Sequence, residues 1–210
     1  MGAMDTTWSS GTVPAPVLVS ARTRLRPVAP DDAATLRAIR ATTAVAQWWH
    51  PPDDGFPLEH EADTWRWTVE IAHAPELGAA GAVIGLAQAY ENPDPDYDES
   101  GIDLFLTPSV HRRGLGTEVV TTVRDWLVDV RGHHLVTIDP AHANEGAIAC
   151  YRACGFRPVG VLHGRERDTD GVGWHDTLLM EYVARAEESA HLRESRDPGA
   201  DSACDLQGAR

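Results

Sequence analysis

Two glycines one residue apart, in the run His111-Arg112-Arg113-Gly114-Leu115-Gly116-Thr117, join an apolar segment to a long amphipathic one. That junction restricts the fold more than any other stretch of the chain. Upstream, Gly101-Ile102-Asp103-Leu104-Phe105-Leu106 has the apolar, β-prone content of a buried strand. Downstream, Val119, Val123, Trp126, Leu127 and Val130 recur at i, i+4, i+7, i+8 and i+11, which is one face of a helix. Glycine lets backbone come close to a ligand, and the first N–H groups of a helix have no partners inside it. With the positive end of the helix dipole and the charges of Arg112 and Arg113, the junction is a candidate seat for phosphate. A glycine-rich turn that merely starts a helix has the same local spacing.

Two familiar phosphate seats are excluded. No Gly-x-x-x-x-Gly-Lys-Ser/Thr run occurs, and the third glycine and early βαβ unit of a dinucleotide fold are missing. The run instead resembles the Gln/Arg-x-x-Gly-x-Gly/Ala signature of the GNAT acetyltransferase superfamily, with His111 where Gln or Arg is usual. Further on, Asn144-Glu145-Gly146-Ala147-Ile148-Ala149-Cys150-Tyr151-Arg152-Ala153-Cys154-Gly155-Phe156 resembles that superfamily's Asn-x-x-Ala-x-x-x-Tyr-x-x-x-Gly-Phe segment. The resemblance covers roughly residues 20–184 and implies an α/β fold. Its central twisted mixed sheet is splayed between the fourth and fifth strands and flanked by helices. It also implies acetyl-CoA as co-substrate, held by Phe105 and Leu106 of the strand, by 111–117 (His111, Arg112, Arg113, Gly114, Leu115, Gly116 and Thr117) and by Asn144. Tyr151 stands where the family's general acid for the departing thiolate stands. A tyrosine packed on the core is the alternative for that residue.

The rest of the chain reads consistently with one domain. Residues 1–19 look like a loose arm, 20–184 like the acetyltransferase domain, and 185–210 like a polar, acidic tail. Within the domain, a strand at Arg22–Val28 precedes a helix from Pro30 to about Val45, with Asp31 and Asp32 in its first turn. Strands follow at Trp65–Ile71, Ala82–Tyr90, Gly101–Leu106 and His134–Ile138, the last two as parallel neighbours around the glycine-run helix. Two closing strands, near Val159–Leu162 and Asp176–Tyr182, flank a polar loop at Gly164–Trp174 that could line or cover a pocket.

Charge and cysteine usage bound the partners. The net charge of −14 argues against nucleic acid, which calls for a basic face. No apolar run is long enough to span a bilayer, and Met1-Gly2-Ala3-Met4-Asp5 lacks the regions of a secretory signal. Three cysteines without a Cys-x-x-Cys pair suit reduced thiols in a cytoplasm. The ten histidines do not pair with cysteine or carboxylate at ligand spacing, so no metal is expected. Exposed tryptophans permit a homodimer as well as a monomer. Glu91, Asp94, Asp96, Asp98, Glu99 and Asp103 fall within thirteen residues that contain no Lys or Arg. Such a run is either a solvated loop or a field that gathers a polycationic substrate.

Asp103 is the sharpest residue in that group. A carboxylate inside an apolar strand is costly unless it is paired or opens onto a cleft. Asp139, before Pro140, would face it across the same groove, although a turn aspartate before proline is also common. Several strings resemble aminoglycoside 6′-N-acetyltransferases: Gly101-Ile102-Asp103-x-Phe105-Leu106, Trp48-Trp49, Ile84-Gly85-x-Ala87-Gln88-x-Tyr90 and Thr137-x-Asp139-Pro140. That resemblance implies a polycationic amine as acceptor. Asp103 would be the base, and Asp139, Trp49, Gln88, Tyr97 and Asp98 would contact the substrate. Other readings are acylation of a hydroxylysine-type siderophore precursor, for which histidine is expected where Asp103 stands, and a non-catalytic acyl-CoA-binding module.

Overall fold

The computed structural model describes residues 14–184 except His60, Pro93, Pro95 and Asp98. The expected tail at 185–210, residues 1–13 of the expected arm, and Asp98 therefore lie outside the described residues. Eight strands make one mixed sheet in the order β1-β2-β3-β4-β5-β6-β8-β7. They are β1 Leu18–Val19, β2 Thr23–Pro27, β3 Thr64–Ile71, β4 Val83–Glu91, β5 Ser100–Leu106, β6 Leu135–Ile138, β7 Arg157–Arg167 and β8 Trp174–Val183. The α-helices are α1 Ala33–Arg40, α2 Thr43–Ala46, α3 Leu115–Asp125 and α4 Glu145–Ala153. Strands β1 to β5 pair antiparallel in sequence order, β5 and β6 pair parallel, and β8 lies antiparallel between β6 and β7. Parallel neighbours cannot share a tight turn, so α3 has to cross over between β5 and β6. The glycine run is thereby fixed at the C-terminal end of β5.

Each face of the sheet carries its own core. Leu115, Val119, Val120 and Val123 of α3 and Ile148 of α4 pack with Ile102 and Leu106 on one face. On the other, Leu36, Ile39, Val45 and Phe56 pack with Leu86 and Phe105. Alternation along β5 thus sends Ile102, Leu104 and Leu106 to the first face and Asp103 and Phe105 to the second.

The fold departs from the sequence expectations in five places. The helix expected over Pro30–Val45 is broken into a 3₁₀ turn at Pro30–Asp32, α1 and α2, because Thr42 is extended at φ −65°, ψ 142°. Its hydroxyl donates to the Ile39 carbonyl at 2.7 Å, in competition with the helical ladder. Val130 is 70% exposed and off the buried stripe, since α3 widens into a π-turn at Trp126–Val130 that rotates the register. Strand β7 continues to Arg167, into the expected loop. The described part of the arm is packed: Leu18 and Val19 pair with Leu25 and Arg24, and the buried Trp67 indole donates to Pro16 O at 2.7 Å. That extra edge strand makes the splayed pair fifth and sixth in chain order; the two strands are the expected ones.

Candidate active site

The chain leaving β5 makes a short 3₁₀ turn at Pro108–Val110 and then a reversal in which Arg112 (φ 57°) and Gly114 (φ 79°) are both left-handed. Alternation of left-handed with ordinary residues turns N–H groups to one side, and Gly114 caps α3, so the free N–H groups of α3 continue the same concave surface. Gly116 serves a different purpose. A Cβ there would lie 3.3 Å from Cys150 Sγ, so its absence lets α3 and α4 close on each other. Leu115 is fully buried and offers the seat only its backbone, while Thr117 Oγ1 lies 3.5 Å from Cys150 Sγ. Arg112 lines the adjoining cleft of about 1320 Å³ and Arg113 does not. His111 ties the turn back to the end of β5, its Nε2–H donating to the Leu106 carbonyl at 2.9 Å. Asn144 lines the cleft and also caps α4, its side-chain oxygen accepting from Ala147 N at 3.1 Å.

Beside the seat the sheet opens. β5 and β6 share only the pairs Ser100–Val136 and Gly101–Thr137, and then diverge. Thr107 N donates to Ile84 O at 2.7 Å, which fixes the alternation. Phe105 therefore bonds toward β4, and Leu104 and Leu106 turn their backbone groups toward the gap. Both expected strand contacts, Phe105 and Leu106, line the cleft; the Phe105 ring packs in the core under α1 and its backbone bonds toward β4, so of the two only Leu106 turns backbone groups to the opening. Leu104, also in the lining, shares that orientation with Leu106, through parity that the apolar string alone did not reveal.

Asp103 and Asp139 both line this cleft. Burial pushes the Asp103 carboxyl up to about 6; Gln88 Nε2–H, donating at 3.1 Å, opposes the rise, and Asp139 adds to it. Asp139 is also raised, again chiefly by burial, with Arg165 Nε 4.0 Å away pulling against it. Tyr151 is buried with its ring 6.3 Å from Phe156, lines the cleft, and has its ionisation pushed well upward by burial. A phenol so placed keeps its proton.

Other expected contacts fall differently. Trp49 lines the cleft, edge-on to Phe105 at 5.2 Å and under the Arg40 guanidinium at 5.2 Å. Gln88 is behind the wall, bridging Asp103 to Arg66, whose Nε–H donates to Gln88 Oε1 at 3.1 Å. Tyr97 is 66% exposed in the β4–β5 connection, outside the cleft lining. Glu91, from the acidic run, is held by Arg131 at 2.7 Å and by His133 at 2.9 Å. Asp103 alone of the described acids in that run lines the cleft, so the run does not act there as a continuous acidic wall.

Two residues of the site carry no clear signal in the sequence pattern. Arg165 and Glu166 line the cleft from β7, in a segment whose composition reads as a loop. Outside the lining, the Tyr90 ring occupies the space that a Cβ on Gly101 would need; a glycine inside a strand was the available signal. The cleft's charged lining is balanced, with Asp103, Asp139 and Glu166 against Arg40, Arg112 and Arg165. Among the described residues no cluster of three or more His, Cys, Asp or Glu could hold a metal ion, and no helix is long and apolar enough to cross a membrane.

A diverging parallel pair beside a left-handed, glycine-capped helix start leaves an open strand edge next to unpartnered helix N–H groups. Residues 22–157 match the GNAT acetyltransferase domain, and the chain belongs to that family. Solved structures agree in fold. The ribosomal-protein-S5-alanine acetyltransferase of Vibrio fischeri superposes with a TM-score of 0.66 at 14% identity, over 80% of this chain and 97% of that one. Spermidine N-acetyltransferase from Vibrio cholerae, in complex with CoA and spermine, gives 0.64 at 18% identity, over 77% and 95%. Aminoglycoside acetyltransferase AAC(6')-Ib, in complex with coenzyme A and kanamycin, gives 0.61 at 21% identity, over 81% and 99%.

Proposed function

We propose that this chain transfers the acetyl group of acetyl-CoA to an amine of a cationic small molecule, with the 6′-amine of an aminoglycoside as the leading acceptor. One observation carries the reading: Asp103 and Asp139 converge on the opening between β5 and β6, beside Tyr151. The residues present fit the co-substrate. The left-handed residues Arg112 and Gly114 suit pyrophosphate, and the unpaired edge of β5 suits an amide-bearing arm. Bound acetyl-CoA supplies an activated thioester. The chain's own groups do the rest. Asp103, ionised above about pH 6, takes the proton of the acceptor ammonium. Asp139 holds that ammonium or a second one. The Leu104 and Leu106 N–H groups face the gap and can polarise a carbonyl there. The Tyr151 hydroxyl holds the proton that the leaving sulfur needs.

The spermidine and aminoglycoside enzymes among the structural relatives support a cationic amine as acceptor. An aspartate at 103, where hydroxylysine acylation would call for histidine, supports the aminoglycoside over that alternative. The cleft's balanced charge favours an acceptor with hydroxyls as well as amines over a bare polyamine. The test is thiol release from acetyl-CoA with kanamycin-type amines, spermidine, hydroxylysine and a peptide panel. Preference for the kanamycin group is the expected result, and preference for peptides would refute the reading. Binding of CoA without turnover of any amine would leave the non-catalytic module.

A further inference from the structure

We infer that Arg22, which lies outside the cleft, is a positioning residue for the coenzyme's pyrophosphate seat; the inference rests on the acetyl-CoA reading above. Its guanidinium packs behind the glycine turn. Nη1–H donates to Arg113 O at 2.9 Å, Nε–H donates to Glu118 Oε2 at 2.9 Å, and Nη2 lies 3.2 Å from where a Gly114 Cβ would stand. Glu118 is in turn fixed by four further donors, Ser20 Oγ at 2.6 Å, Arg22 N at 2.7 Å, Thr23 N at 2.9 Å and Thr23 Oγ1 at 3.3 Å. Its own N–H donates to Gly114 O at 3.1 Å. The turn between β1 and β2 is thereby pinned to the first turn of α3.

The consequence lies in one peptide group. The seat works as an anion site only while its N–H groups face inward, which requires the intervening carbonyls to face out. The Arg113 carbonyl needs a partner on the far side, and Arg22 is that partner. If the Arg113–Gly114 peptide turned over, the Gly114 N–H would be replaced by a carbonyl oxygen facing a phosphate. Glu118 presents the complementary puzzle. A carboxylate in the first turn of an anion-binding helix repels the ligand through space. It is tolerated there because its donors neutralise it, and they hold it below the usual carboxylate range against the opposing effect of burial.

A purely electrostatic role and a positioning role make opposite forecasts, so the experiment is calorimetric titration with CoA and, separately, with pantetheine, which lacks the pyrophosphate. If Arg22 positions the turn, Arg22→Ala, Arg22→Lys and Glu118→Gln each weaken CoA binding about tenfold, the worth of one charge-assisted hydrogen bond. The loss persists at raised salt, pantetheine binding is unchanged, and kcat at saturating acetyl-CoA is kept. Arg22→Lys retains the charge and loses the fork, so it covers the case in which Arg22→Ala fails to fold. If charge alone matters, Arg22→Lys is silent, Glu118→Gln tightens CoA, and salt erases both effects; that pattern overturns the inference. Equal losses for CoA and pantetheine overturn it too, as mere structural damage. A wild type that fails to bind CoA overturns the coenzyme reading and this inference with it, whereas binding that is identical in every variant overturns the inference alone.

Discussion

In the base role proposed for Asp103, function and stability pull in opposite directions. The folded carboxyl titrates near 6 against 3.8 for an ordinary aspartate. Between those values the folded chain holds a proton that the unfolded chain has lost. Its stabilising effect is complete at low pH and disappears as pH rises through about 6, beyond which a desolvated charge remains. Asp103→Asn should therefore stabilise the protein at pH 8 by about 1 kcal/mol, a figure discounted for partial solvent contact, while cutting turnover at least about tenfold. Thermal melts and steady-state kinetics read the two effects. The wild-type pH profile should fall on the acid side near 6, and a limb unchanged in the variant would remove Asp103 from the base role. Asp32 behaves in the opposite sense. Arg26, at 2.6 and 2.7 Å, holds it down to about 2, aided by Ala29 N–H and the Thr68 hydroxyl. Its contribution is present above the ordinary carboxylate range and lost as pH falls toward 2. Asp32→Asn leaves Arg26 with a weaker partner and should cost about 3 kcal/mol in denaturant unfolding, with little effect on KM for either substrate. An unchanged midpoint would refute the coupling.

Between elements, Gly101 shows how one strand sets the shape of its neighbour. The Tyr90 ring from β4 fills the space above it, reaching toward Thr137 on β6. Gly101→Ala should destabilise by about 2 kcal/mol through overpacking. The penalty should largely vanish in a Tyr90→Ala background, and an equal loss in both backgrounds would show that the contact is not its cause. Elements of this kind also mark the boundary of what the sequence discloses. The glycine turn that starts α3, the helix α4 and the succession of strands and helices along the chain were legible because each depends on spacing within a dozen residues. Val130 escaped because a π-turn shifts register without changing any residue type. The break at Thr42 depends on which carbonyl a hydroxyl finds. Arg165 and Glu166 escaped because a polar, glycine-containing stretch reads as loop, whereas β8 supplies a partner that carries it on as strand. Asp103 was legible as an anomaly. Its support from Gln88, and through it Arg66, is tertiary and could not be read along the chain.

At the scale of the molecule, the sheet is two panels, β1–β5 and β6–β8, joined by two register pairs and by the helices across them. The Leu104 and Leu106 amides face the parting instead of a strand, so their hydrogen exchange should be fast in the free protein. Saturating CoA should slow both by at least about tenfold, with little change at Ala87 and Ala89 inside the first panel. Equal protection of Leu104 and Leu106 with and without CoA would mean that nothing docks along that edge. The parting bears on more than catalysis. A sheet left unstitched at its centre borrows part of its cohesion from whatever occupies the seam, so the rigidity of this protein should follow the cell's supply of acylated and free coenzyme.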